Sequence, residues 1–469
     1  MTTTPPDTGT RRTTLEQLLV PQAVLTWQPR PRLHLRGRTV NLAVTSERVL
    51  QALRELADGA DVDRAAARSG VLQDLGSALP WSMLLRTLDT VGALLHRLPG
   101  PGGAPVAELV ALTRGPVAPP PRTRDLGAWT PNPAATVRIE GDRLVLQAPH
   151  ARCQVHLAPA AAAAWAEVVA HQVPAAPWWP ELARMLAAAG ALVERPPEPD
   201  ELLWSVAEWS AYLHSRLSDT VSGFAGTYSG AKTVPVPPAR WEPGSTRVLD
   251  LPRPDLDRLV RTDPSLASVS ESRRSRREHD HAHPITLDQL GELLYRVARV
   301  RGVMRGDGVE AVDRPVPAGG SLHEIEVFVA SQHCDGLEPG LWWYDGHDHR
   351  LVHIAEPGRD LDRLVAYATR ATLQTEPPQV LLQLAARPAR LLTKYESIGY
   401  ALMEKHTGVL MHAVYLAAEA MGLATCGVGA GDGQAFAAAT SRRLGELAPL
   451  GEMTLGSRVP EGADAGGAG

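Results

Sequence analysis

Between Val409 and Met421 only His412 and Glu419 interrupt an apolar run. No solvent-facing stripe can be drawn there, and the pattern predicts a helix buried nearly all round. The run stops short of the roughly 20 apolar residues that a membrane span requires. Glu404, Lys405 and His406 precede it and a glycine-rich loop follows. It is therefore expected as a central helix packed against a sheet or a second subunit. Upstream, EIEVFVA at Glu324–Ala330 reads as a strand, Thr286 as the cap of a helix over Leu287–Val297, and Leu202–Leu217 as an amphipathic helix. Nearer the N-terminus, Arg32–Leu42 suggests two short strands around Gly37, followed by helices over Thr45–Leu56 and Leu84–Leu95. The pattern then recurs, with paired strands in Arg143–Leu157 and helices over Ala158–Ala170 and Glu181–Val193. The endings Val91-Gly92-Ala93-Leu94-Leu95 and Ala189-Gly190-Ala191-Leu192-Val193 match, which points to two diverged copies of a small winged-helix-like unit.

A chain of 469 residues is too long for one core. The Pro/Gly-rich stretch Pro99–Pro121 reads as a linker. The expected division is a first unit over 1–100, a linker over 101–135 and a second unit over 136–198. A bridging helix with a Pro-rich run follows over 199–265, then one α+β unit over 266–460 and a Gly/Ala tail over 461–469. A mean hydropathy of −0.14 describes a globular chain. With 47 Lys and Arg against 52 Asp and Glu, the net charge of −5 gives no global reason to expect nucleic acid or a membrane. Any basic patch is local. Arg30, Arg32, Arg36 and Arg38 share one parity and on an extended chain form one face, either solvated or gripping an acidic peptide. The three cysteines, at 153, 334 and 426, have neither disulfide-framework nor zinc-ligand spacing. The N-terminus lacks the apolar core of a secretory signal, so the cytosol is the expected compartment.

Arg273-Arg274-Ser275-Arg276-Arg277 clusters forked donors around a hydroxyl, a combination suited to a phosphate. Arg314 to Ser321 forms a rigid turn followed by permissive residues, and amides freed at Gly319 and Gly320 could hydrogen-bond a planar heterocycle. The glycines at 427, 429 and 431 do not make a dinucleotide fingerprint, because Asp432 stands where a third spaced glycine is needed and a helix precedes them instead of a strand. Lys394 and Tyr395 are adjacent. On a strand they would face opposite ways, so sharing one pocket requires a turn or a helix start. The histidine-rich runs His279–His283 and His347–His349 lack a partner metal motif.

Taken in order, RRSRR, PITLDQLGELL, RPVPAGGSLHEIEVFV, GLWWYD, the Lys394–Tyr395 pair and GLATCGVGAGD resemble the flavin-dependent azoline dehydrogenases of the SagB type, in the nitroreductase superfamily. The resemblance covers the C-terminal two-fifths, and WSAYLHSRLSD resembles that family's lead-in segment. It implies an α+β fold: a nitroreductase-like domain with an antiparallel or mixed sheet flanked by helices, preceded here by the tandem winged-helix-like units. It also implies FMN and oxidation of thiazoline or oxazoline rings in a ribosomally made peptide. By position, Arg273, Arg274, Ser275, Arg277 and Arg458 would hold the phosphate. Pro317, Ala318, Gly319, Gly320 and Ser321 would line the ring, and Gly427, Val428 and Gly429 would lie along the cofactor. Lys394 and Tyr395 would carry the oxidation. Ala318 departs from the family's usual serine, and EKHTG at Glu404–Gly408 departs from its helix opening. Implied partners are an azoline-containing precursor peptide, a cyclodehydratase and a second copy of the chain. Two other readings stay open: an NAD(P)H-dependent nitro or quinone reductase, and a non-catalytic docking component.

Overall fold

The computed structural model describes residues 15–460 apart from 29, 36–37, 45, 113–116, 118, 121–128, 150, 196–202, 217–224 and 307–308. Arg36, Gly37, Thr45, Pro196–Pro199 and the tail from 461 therefore lie outside the described residues, as does part of the expected linker. The chain forms two units, Met1–Phe224 and Ala225–Gly469.

In the N-terminal unit an antiparallel six-stranded sheet runs in the order Glu16–Leu19, Leu94–Pro99, Pro105–Ala111, Cys153–Leu157, Arg143–Gln147, Thr136–Glu140. The strand Pro105–Ala111 falls inside the stretch expected as a linker. Its PVAELVA pattern buries Val106, Ala107, Leu109 and Ala111 and pairs on both edges, so flanking glycines and prolines had masked a strand. Two cores lie in this unit. One gathers Leu53, Trp81 and Leu88, the other Trp165, Leu182 and Leu186. The matching sequence endings are matching helix stops: Gly92 and Gly190 take φ of 71° and 69°, and the next residue's N–H closes onto Leu88 and Leu186 respectively, each at 2.8 Å. The amphipathic helix spans Val206–Arg216. Arg30 and Arg32 are exposed.

The C-terminal unit is built on a seven-stranded antiparallel sheet of β1 (Val248–Asp250), β2 (Ile325–Ser331), β3 (Gly340–Asp345), β4 (Arg350–Ala355), β5 (Val380–Ala386), β6 (Leu423–Val428) and β7 (Ala448–Ser457), in the order β1-β4-β3-β2-β5-β7-β6. Strands β2, β3 and β5 are buried along their whole length, which explains their near-continuous apolar sequences. Alternate residues feed opposite layers. Val327, Leu382 and Met453 meet α1 (Leu287–Ala298) and α3 (Gly399–Ala420). Phe328, Leu381 and Val428 meet α2 (Arg359–Ala371) and α4 (Gly433–Thr440). Thr286 closes a full capping box on α1 with Gln289.

Helix α3 departs from the expected burial all round. Within the single chain it buries one stripe, Met403, His406, Thr407, Leu410, Val414 and Ala418, against the sheet, while His412 is exposed and Val409 is 37% exposed. A run without polar residues does not dictate which faces a single chain covers. The Pro-rich segment 235–239 is fastened to this unit. Arg387 donates to the carbonyls of Pro238 and Ala239, and Arg390, fully buried, donates to those of Pro237 and Leu322. Burial, with Arg387 alongside, pulls the Arg390 guanidinium down to about 10. Among the described residues no helix is long and apolar enough to cross a membrane.

Candidate functional site

The helix Pro388–Leu392 ends in a turn at Thr393–Lys394, and Tyr395 opens the two-residue strand Tyr395–Glu396. This joint lets both side chains reach the same place. A Cβ at Gly320 would lie 2.5 Å from Lys394 Nζ and 2.8 Å from Tyr395 Oη, so amine and phenol converge over that glycine. Among the described residues neither atom has a hydrogen-bond partner, and Lys394 has no ion pair. Gly320 has φ of 60° and Ser321 of 55°, the left-handed conformations that sharpen the turn Pro317–Ser321. Its shape is fixed from below. Gly319 N–H donates to His406 Nε2 at 2.7 Å, and His406 Nδ1 donates to Glu324 at 2.6 Å. Glu324 is fully buried. The Gly319 amide, expected to be free for a ligand, is thus engaged by an imidazole that the sequence offered only as a departure in the helix opening.

The arginine group assembles elsewhere. Arg273 lies over the Tyr415 ring at 5.3 Å, the Tyr415 hydroxyl is 3.1 Å from Ser275 Oγ, and it accepts the Gly427 N–H at 2.6 Å. Arg458 donates to Glu419 at 2.6 Å, and Arg276 Nε lies 3.8 Å from the same carboxylate. Among the described residues the buried Nε atoms of Arg276 and Arg458 have no hydrogen-bond partner. Arg273, Ser275, Gly427 and Arg458 therefore come together around the C-terminal half of α3. The exposed Arg274 turns back onto the carbonyls of Glu271 and Arg273, and the Arg277 side chain is exposed. Val428 packs its side chain into the core, leaving only its backbone toward the loop. Gly429 has open space beyond its α-carbon.

The two groups do not share one face. At about 100° per residue, Met411 and Tyr415 stand roughly 140–180° around α3 from His406. Gly427 packs on the Met411 and Tyr415 side, while Gly319 packs on Leu402 and His406. The arginine and glycine-loop group and the turn with its Lys–Tyr pair thus occupy opposite sides of one helix.

A pocket also opens between the first turns of α3 and the loop after β6, lined by Tyr400, Glu404, Gly429, Gly431 and Glu452. Burial pushes the Glu452 carboxyl up to about 7. The sequence pattern gives no signal for Tyr415, which sits inside the apolar run, or for the Glu324–His406 pair, whose members are 82 residues apart. Glu419 carried a signal, since a lone acid in an apolar helix needs a cationic partner.

Residues 271–456 match the nitroreductase family. A protein of Methanocaldococcus jannaschii named as a nitroreductase is 26% identical over 185 residues, spanning 39% of this chain and 84% of that protein. Two solved structures are similar at lower identity. The Escherichia coli microcin synthetase McbBCD complex with truncated pro-MccB17 bound is 19% identical, covering 51% of this chain and 89% of that chain with a TM-score of 0.35. A chain of Desulfovibrio desulfuricans named as a nitroreductase, in complex with FMN, is 14% identical, covering 43% and 94% with a TM-score of 0.27.

Proposed function

We propose that the nitroreductase-family domain at residues 271–456 binds FMN and oxidises azoline rings of a modified precursor peptide to azoles. The convergence of Lys394 Nζ and Tyr395 Oη over Gly320, neither with a hydrogen-bond partner among the described residues, carries this reading. The residues present suit the cofactor. Arg273, Ser275 and Arg458 would hold its phosphate, with the orphaned guanidinium nitrogens of Arg276 and Arg458 as spare donors. Gly427 and Gly429 would let the backbone lie against it, and Pro317–Ser321 would line the ring. When bound, FMN supplies a two-electron acceptor.

Aromatising an azoline removes a hydride from one ring carbon and a proton from its neighbour, so a base must stand beside the substrate. Lys394 Nζ as the free amine, or Tyr395 Oη as the phenolate, would receive that proton. Because the two groups face opposite sides of α3, one chain cannot close both around one cofactor, and a homodimer pairing one copy's arginines with the other copy's turn is the arrangement we favour. A cyclodehydratase would supply the azoline peptide. The test is incubation of the flavin-loaded protein with an azoline peptide, read by mass spectrometry. Loss of two hydrogens is expected. Rapid flavin bleaching by NADPH with no mass loss would instead favour a nitro or quinone reductase.

A further inference from the structure

The chain contains only three lysines, Lys232, Lys394 and Lys405. Arginine is its ordinary cation, so the amine at 394 is a local exception, and its surroundings are built with corresponding care. A strap from Ala225 to Lys232 runs along it. Ala225 and Gly226 pair antiparallel with Glu396 and Tyr395. Tyr228 N–H donates to the Lys394 carbonyl at 3.0 Å, and Ala231 N–H to that of Thr393 at 3.1 Å. The Thr227 hydroxyl donates to the Glu396 carboxylate at 2.7 Å. At Gly230 the strap approaches so closely that a Cβ would lie 2.5 Å from the Leu392 carbonyl oxygen and 2.8 Å from Thr393 Cα. Those atoms are backbone and cannot swing away. The strap's seat therefore depends on glycine.

Held this way, Tyr228 adopts φ of 56°, a conformation that bulky residues rarely take unless their surroundings impose it. Its ring faces the amine: Lys394 Nζ lies 5.4 Å from the Tyr228 ring centroid and 5.3 Å from that of Tyr395. Both are within the range at which a cation is attracted to an aromatic face. On the third side stands Gly320, where any Cβ would displace the amine and the Tyr395 hydroxyl. The amine is thus bounded by two phenol rings and a glycine.

We propose that Tyr228 is a positioning residue for Lys394: the strap presses its ring against the amine and keeps Nζ over Gly320. The proposal rests on the function given above, in which that amine meets substrate. Its core, the restraint of Lys394 by Tyr228, is tested without turnover. Acylation of the native, flavin-loaded protein with a water-soluble succinimidyl ester, followed by peptide mass spectrometry, reads Lys394 against the exposed Lys232 and Lys405 as internal standards. Tyr228→Ala should raise the labelling rate of Lys394 roughly two- to fivefold relative to Lys405, and Tyr228→Phe, which keeps the ring, should leave it as in the wild type. Tyr228→Leu serves if the alanine variant does not fold. Equal labelling of Lys394 in wild type and either ring-deleted variant overturns the proposal. The same variants should lose roughly ten- to a hundredfold in kcat for azoline oxidation with flavin content unchanged, and Tyr228→Phe should recover it. A wild type that shows the labelling contrast but oxidises no azoline would leave the restraint standing and remove the assigned reaction. Azoline oxidation without the contrast would do the reverse.

Discussion

At the scale of single residues, the Lys394 amine and the Tyr395 hydroxyl make no hydrogen bond among the described residues, while the Lys394 carbonyl accepts from Tyr228 N–H. Lys394→Ala and Tyr395→Phe are expected to keep the flavin absorbance while lowering the azoline oxidation rate by roughly a hundredfold or more, measured by single-turnover mass spectrometry. Loss of the flavin in either variant would reassign the pair to cofactor binding. Glu452 gives a pH prediction. Its carboxyl is raised from 4.5 to about 7, so the folded chain keeps a proton that the unfolded chain releases between those values. The stability it contributes is full below about 4.5 and is lost as the pH rises through about 7. Glu452→Gln removes the dependence. In urea unfolding at pH 8 the variant should be more stable than the wild type by up to roughly 3 kcal/mol, and the gain should vanish by pH 4.

At the scale of elements, the turn Pro317–Ser321 is held by α3 through one histidine. Replacing His406 by Ala frees the Gly319 N–H and strands the carboxylate of Glu324, which is 0% exposed. Leaving both buried groups without their partner should cost about 2 kcal/mol, seen as a lowered denaturation midpoint. Gly320→Ala acts on the same turn differently. Its φ of 60° penalises any side chain, and the new methyl would displace Lys394 Nζ and Tyr395 Oη. The expected outcome is a loss of about 1 kcal/mol in stability together with a larger loss of activity. The element that most changed meaning is Pro105–Ala111. Its alternating apolar residues specify a strand, and only pairing with Leu94–Pro99 and Cys153–Leu157 distinguishes it from a Pro/Gly-rich connection.

At the scale of the whole molecule, the partly uncovered face of α3 and the separation of the two residue groups lead to the same expectation. The protein should sediment as a dimer. A Lys394→Ala chain and an Arg458→Gln chain, each weak alone, should regain activity when co-expressed, because a mixed dimer contains one site with both groups intact. If mixing restores nothing while both variants dimerise with each other, the groups do not serve a shared site.

Local patterning along the chain already marks what repeats and what is chemically unusual. A near-continuous apolar run marked β2, the capping residues marked α1, and the RRSRR run, the Lys394–Tyr395 pair and the glycines at 427, 429 and 431 stood out without coordinates, because each signal lies within a few adjacent residues. Tertiary structure alone decided which of these meet. That Tyr415 joins Arg273 to Gly427, that His406 takes the Gly319 amide, and that Tyr228 reaches Lys394 depends on contacts between residues far apart in the chain. Packing around α3 sets those contacts, and local sequence has no means of encoding them one residue at a time. The same packing sorted the candidate residues onto two sides of a helix, since a helix turns by a fixed angle per residue whatever chemistry its side chains carry.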